Sequence, residues 1–143
     1  MRDIQLLDYD LIIVDTPPYL SSRLPELFLK SDFILVPTKA GFFDVMAIRS
    51  TLALIKETQM KAPHIKSGIV LNMVKPRSGI TREVAELLQS MQTPLLKTRV
   101  HDQVSIARSS MTEGVFNGAD RKTKEEIMSL TVEVVECISA VIV

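Results

Sequence analysis

Three short apolar runs constrain this chain more than any other feature: Leu11-Ile12-Ile13-Val14, Phe33-Ile34-Leu35-Val36 and Ile69-Val70-Leu71. None alternates with polar residues. A strand with one face in water reads apolar-polar-apolar, whereas an unbroken run marks a strand buried on both faces, and that in turn needs a parallel sheet with helices on each side. Leu95-Leu96-Lys97-Thr98, just after Pro94, is a weaker fourth strand candidate. Between the runs the period becomes helical. Val45, Ile48, Leu52 and Ile55 follow Asp44, and Val84, Leu87, Leu88 and Met91 follow Thr81, with Asp44 and Thr81 as expected N-caps. Residues 19–31 read as a helix in which Pro25 forces a late start or a kink. The last helix, about 122–141, opens with the capping-box pattern Thr123-Lys124-Glu125-Glu126. Its apolar face carries Ile127, Leu130, Val134, Ile138 and Val141, and its polar face Glu126, Glu133 and Glu136. Strand and helix alternating along the chain predict a doubly wound α/β fold, a parallel sheet flanked by helices.

Composition agrees with one domain over residues 1–143. The chain has 143 residues, 46% of them hydrophobic, with 17 basic and 17 acidic side chains. A domain of this size buries roughly 70% of the surface of its unfolded chain, so its core needs neither disulfides nor a structural metal. Cys137 stands alone, and with His64 and His101 it forms no cluster at metal-ligand spacing. Neither a membrane-spanning segment nor a signal peptide is expected, and a cytoplasmic location follows as an expectation. The charge is uneven: residues 61–122 hold 10 basic and 5 acidic side chains, while 123–143 hold 1 and 4. The basic stretch suits a polyanion or simply a solvated surface. The acidic polar face of the last helix does not suit a membrane surface.

In open parallel sheets ligands bind beyond the carboxyl ends of the strands. The residues there are Asp15-Thr16-Pro17-Pro18, Pro37-Thr38-Lys39, Asn72-Met73-Val74-Lys75 and Thr98-Arg99. The first group places a carboxylate at a strand tip, ahead of two prolines that fix the exit loop. Such an acid either orients a magnesium-bound water beside nucleotide phosphates or caps the next helix.

The full phrase Tyr9-Asp10-Leu11-Ile12-Ile13-Val14-Asp15-Thr16-Pro17-Pro18 closely resembles the Walker B segment of the ParA/MinD family of partitioning and positioning ATPases. Asp32-Phe33-Ile34-Leu35-Val36-Pro37 and Gly68-Ile69-Val70-Leu71-Asn72-Met73-Val74 are similar to that family's next strands. Pro94 to Val100, Val104-Ser105-Ile106-Ala107 and Gly114-Val115-Phe116 then follow in the family's order. The resemblance implies a P-loop NTPase-like sheet that is incomplete, because the family's first strand and phosphate loop come before the segment where this sequence begins. That loop requires Gly-Lys-Ser/Thr, and the five glycines here are followed by Phe42, Ile69, Ile80, Val115 and Ala119. ATP hydrolysis by this chain alone is therefore not expected, and no residue is assigned a catalytic role.

Carried over residue by residue, the resemblance implies that Asp15 serves magnesium through a water, that Thr16, Pro17 and Pro18 form the nucleotide-sensing switch, and that Asn72 contacts the adenine edge. ATP and magnesium are the family's ligands, with neither expected to bind this chain by itself. Val100-His101-Asp102 departs from the family's usual Ile-Pro-Arg, and Arg108 stands where an acid is common. Nonspecific DNA binding in the family implicates Lys75, Arg77, Arg82, Lys97, Arg99 and Arg108. A partition-partner protein and a homo-oligomer, either a dimer or a strand-swapped form, are the further expected partners, with no membrane. Two functions compete: part of a ParA-type partitioning ATPase, and a non-enzymatic interaction or regulatory module built on that fold. The expected gap in the sheet would close either by pairing 11–14 with 33–36 or by a strand from another copy.

Overall fold

The computed structural model describes residues 8–17, 19–76, 79–111 and 113–140. Its elements in order are α1 (Leu24–Leu29), β1 (Phe33–Lys39), α2 (Phe42–Lys61), β2 (Lys66–Val74), α3 (Ile80–Gln89), β3 (Leu95–His101), α4 (Val104–Ala107) and α5 (Arg121–Ser139). Two 3-10 turns, Ser109–Met111 and Val115–Asn117, lie between α4 and α5. The three strands form one parallel sheet in the order β1-β2-β3. The α/β class read from the sequence is thus observed, as a three-stranded parallel sheet with helices on both faces.

Alternate residues of β2 point to opposite layers. Ile69 and Leu71 pack with Ile34 and Val36 of β1 and with Val45, Leu52, Ile55, Val84 and Leu88 from α2 and α3. Leu24, Leu27 and Phe28 of α1 join this larger core. Val70, Leu96 and Val100 face the other way, against Ile106 and the Ile127, Leu130, Val134 and Cys137 side of α5. The second layer is narrower, because α5 covers β2 and β3 and leaves Leu35, Pro37 and Lys39 of β1 exposed.

The first apolar run does not form a strand. Residues 11–14 have no regular secondary structure, and Leu11 and Ile13 are 56% and 84% exposed. The pairing of 11–14 with 33–36 within one chain does not occur, and among the described residues β1 has no neighbour on its outer edge. The reason is that strand formation depends on partners: a β-prone run without a ladder to join gains neither hydrogen bonds nor burial.

Helix starts also differ from the expected ones. Gly41 rather than Asp44 is the N-cap of α2, and Thr81 lies buried inside the first turn of α3. For α5 the cap is Asp120, whose side chain accepts from the Thr123 N–H, so the capping-box threonine is one turn inside the helix. The 19–31 helix shrinks to six residues, with Pro25 at its start where a missing N–H costs nothing. Val141 lies outside the described residues.

Candidate functional site

The carboxyl ends of β1 and β2 meet the first turn of α2 at a shallow cleft lined by Thr38, Lys39, Asp44, Ile48, Asn72 and Met73, among others. Each part has a local cause. β1 delivers Thr38, which is buried, and Lys39, which is exposed. The register between β2 and β3 slips between Leu71 and Val74. Within that slip Met73 adopts φ +53°, in the left-handed region that residues with a Cβ seldom occupy. The half-buried Asn72 stabilises the kink by accepting the Met73 N–H on its Oδ1 at 2.9 Å. Bulges of this kind re-aim side chains and gather near binding sites. The cleft therefore offers an ammonium, a carboxylate and an oriented amide at the end of a parallel sheet.

Of the sequence-predicted nucleotide residues, only Asn72 lines this cleft. Asp15, Thr16 and Pro17 are exposed on the segment without regular structure, not at a strand tip. The cleft brings together the polar side chains of Thr38, Lys39, Asp44 and Asn72. It does not by itself supply a magnesium site: among the described residues no group of three His, Cys, Asp or Glu could hold a metal ion. Pro18 lies outside the described residues.

The basic candidates are distributed over several elements. Lys97 and Arg99 are exposed at alternating positions of β3 and so share a side. Arg82 on α3 is exposed and sits 3.3 Å from Glu86, one turn on. Lys75 follows β2 and Arg108 follows α4, both exposed. Arg77 lies outside the described residues. The structure thus groups Lys97 with Arg99 but does not gather the whole set.

A polar network beside β3 escaped sequence reasoning. Glu133 accepts the backbone N–H groups of Lys97 and Thr98 at 2.6 and 2.8 Å. Glu126 accepts from the His101 N–H at 3.0 Å, meets His101 Nδ1 at 2.8 Å and accepts from Gln103 Nε2 at 2.9 Å. Gln103 in turn accepts from the Thr123 hydroxyl, which lies within hydrogen-bond distance of Ser105 and Asp120. The acidic face of α5, read from the sequence simply as polar, is turned toward the outer edge of β3. There its carboxylates satisfy strand N–H groups that would otherwise be unpaired. Burial pushes the Glu133 carboxyl up, but hydrogen bonds from Thr98 and Lys97 and the Lys97 charge outweigh it and hold it below the usual value. Asp120 is likewise held low, chiefly by the Ser105 hydroxyl and then by Thr123. Glutamates at 126 and 133 are the available signal, since they fall on the flank of the apolar face nearest the sheet.

No protein-family profile matches the chain. It is similar to the maintenance of carboxysome distribution protein A of Halothiobacillus neapolitanus, with 29% identity over 133 residues, covering 90% of this chain and 61% of that protein. It is also similar to the virulence plasmid ParA family protein of Chlamydia trachomatis, with 26% identity over 132 residues, or 88% of this chain and 49% of that protein. A ParA family protein of Mycoplasma pneumoniae is 26% identical over 82 residues, covering 57% and 30% of the two chains. The chain thus spans about half to three-fifths of the length of the first two of these relatives. Over about nine-tenths of its length the chain is thus similar to proteins of the ParA family and to a carboxysome distribution protein.

Proposed function

We propose that this chain is the part of a ParA-type partitioning or positioning ATPase that carries the base side of the nucleotide site and the basic surface, and that it does not hydrolyse ATP by itself. The Asn72-Met73 bulge is the observation that carries this reading. A strained residue and an oriented amide stand together at the carboxyl ends of parallel strands, where α/β sheets bind nucleotides. Asn72 orients the base and Lys39 lies within the same cleft. Asp15, followed by Thr16 and Pro17, serves magnesium when its segment is drawn into the sheet. These 143 residues hold no Gly-Lys pair, so they do not themselves supply the backbone cradle and lysine that stabilise a transferred phosphoryl group.

Lys97 and Arg99, with Lys75, Arg82 and Arg108, provide sequence-blind contacts to DNA phosphates. Association with a second copy and with a partition-partner protein completes this reading. The exposed position of Asp15 favours a second one, a non-enzymatic interaction module, in which nucleotide is dispensable.

Calorimetric titration with ATP and magnesium separates the two, with and without a separately expressed phosphate-loop fragment of a ParA relative. The ATPase reading expects binding to appear with the fragment and to be lost in Asn72→Ala. Absence of binding in both arms favours the interaction module. ATP turnover by the chain alone that vanishes in Asp15→Ala overturns the expected inactivity.

A further inference from the structure

Asp44 lines the cleft from the first turn of α2 and is half-buried. Among the described residues no hydrogen bond or ion pair holds its carboxylate, although the Lys39 ammonium shares the cleft. A half-buried anion without a partner is costly. Its position is set by a neighbour. Gly41, the N-cap of α2, has φ −129° and ψ 146°, extended values open to any residue. A Cβ built there would collide with Asp44 Oδ2. The glycine thus lets the carboxylate fold back over the start of the helix, where the partial positive charge of the first turn favours it.

The chemistry of the two walls selects the ligand. An ionised carboxylate only accepts hydrogen bonds and repels phosphate, so Asp44 calls for hydroxyl or N–H donors. Asn72, at the end of β2, uses Oδ1 to accept the Met73 N–H, which leaves its NH2 group to donate to a ligand. The cleft has a volume of about 290 Å³, near the lower end of small-molecule sites at about 300 Å³. It has room for a nucleoside, with the phosphates extending beyond it. With the base at Asn72, the group that reaches α2 is the ribose. Its vicinal hydroxyls supply two donors to the two carboxylate oxygens, and acids beside the strand ends of α/β sheets bind ribose hydroxyls in this way.

We infer that Asp44 recognises the sugar in this cleft, accepting the 2′- and 3′-hydroxyls of a ribonucleotide, and that Gly41 is the residue that positions it. The inference rests on the nucleotide reading proposed above and adds to it a selectivity for ribonucleotides over their deoxy analogues.

Calorimetric titration of the 143-residue chain with ATP, 2′-deoxy-ATP and 3′-deoxy-ATP tests the inference, with magnesium and with or without the phosphate-loop fragment. Each deoxy analogue loses a hydroxyl bond to a charged acceptor and should bind at least about tenfold more weakly than ATP. Asp44→Ala should bring the three ligands to one affinity. Gly41→Ala, which keeps the acid but displaces it, should shrink the same ratio. A role for Asp44 in the helix start alone would weaken all three ligands alike, so a ratio unchanged by Asp44→Ala overturns the inference. Equal affinities for the three ligands in the wild type also overturn it. In both cases ATP still binds and the ATPase reading stands. Absence of ATP binding in both arms instead overturns that reading, and the inference with it.

Discussion

Glu133→Ala tests whether α5 holds the sheet by covering the β3 edge with carboxylates as well as by apolar packing. The substitution removes the acceptor of two short hydrogen bonds, at 2.6 and 2.8 Å, from the Lys97 and Thr98 amides. A hydrogen bond to a charged group contributes about 1.5–3 kcal/mol net. Glu133 is half-buried and water can reach the freed amides, so the pair should contribute nearer the value of one such bond, about 2 kcal/mol. For a chain of 143 residues, an unfolding entropy of about 2.1 cal/mol/K per residue turns that into a drop of about 7 °C in Tm.

The effect carries a pH signature. Because the folded-state Glu133 carboxyl is held below its ordinary value of 4.5, its contribution is fully present above that value. It is lost as pH falls through the lower folded value. Urea unfolding of wild type and Glu133→Ala at neutral pH and at successively lower pH should show a gap that narrows in acid. Glu136→Ala, on an exposed position of the same helix, serves as the control and should leave stability nearly unchanged. A neutral-pH difference under about 0.5 kcal/mol, or one that does not shrink in acid, would refute the edge-capping argument.

Other predictions test the remaining parts. Thr123→Val removes a fully buried hydroxyl that links Ser105, Gln103 and Asp120, and should cost about 1–3 kcal/mol in urea unfolding by leaving its partners unpaired. Leu88→Ala, at a side chain with no exposure in the larger core, should cost about 2–5 kcal/mol in the same assay; a near-neutral result would mean α3 does not close that core. Asp120→Ala should lower Tm at neutral pH and lose its effect in acid, since the Asp120 carboxyl is also held below its ordinary range. On the DNA reading, Lys97→Glu with Arg99→Glu should weaken binding alike for all sequences and reduce the salt slope by about two, measured by fluorescence anisotropy; a salt-independent association would exclude phosphate contact.

The sequence by itself determined the elements whose signals are local or periodic. The unbroken runs at 33–36 and 69–71 are strands, the helical spacing after Asp44 and after Thr81 is helix, and the apolar face of α5 packs on the sheet. These follow from burial, and burial is written in the pattern of side chains. The likeness to ParA family proteins was legible for the same reason, from several short segments in order. Only the tertiary structure decided matters of partnership. The run at 11–14 carries as strong a strand signal as 33–36, yet it remains unpaired because a strand is made by its neighbour and β1 offers its outer edge to none of the described residues. The bulge at Asn72-Met73 comes from a register slip between β2 and β3, a relation between segments more than twenty positions apart that leaves no local mark. Glu126 and Glu133 likewise could have faced water. They became caps because α5 crosses beside a strand whose outer N–H groups lack a ladder, and an unpaired amide near a carboxylate is a stronger determinant of where that side chain lies than the polarity of the helix face that carries it.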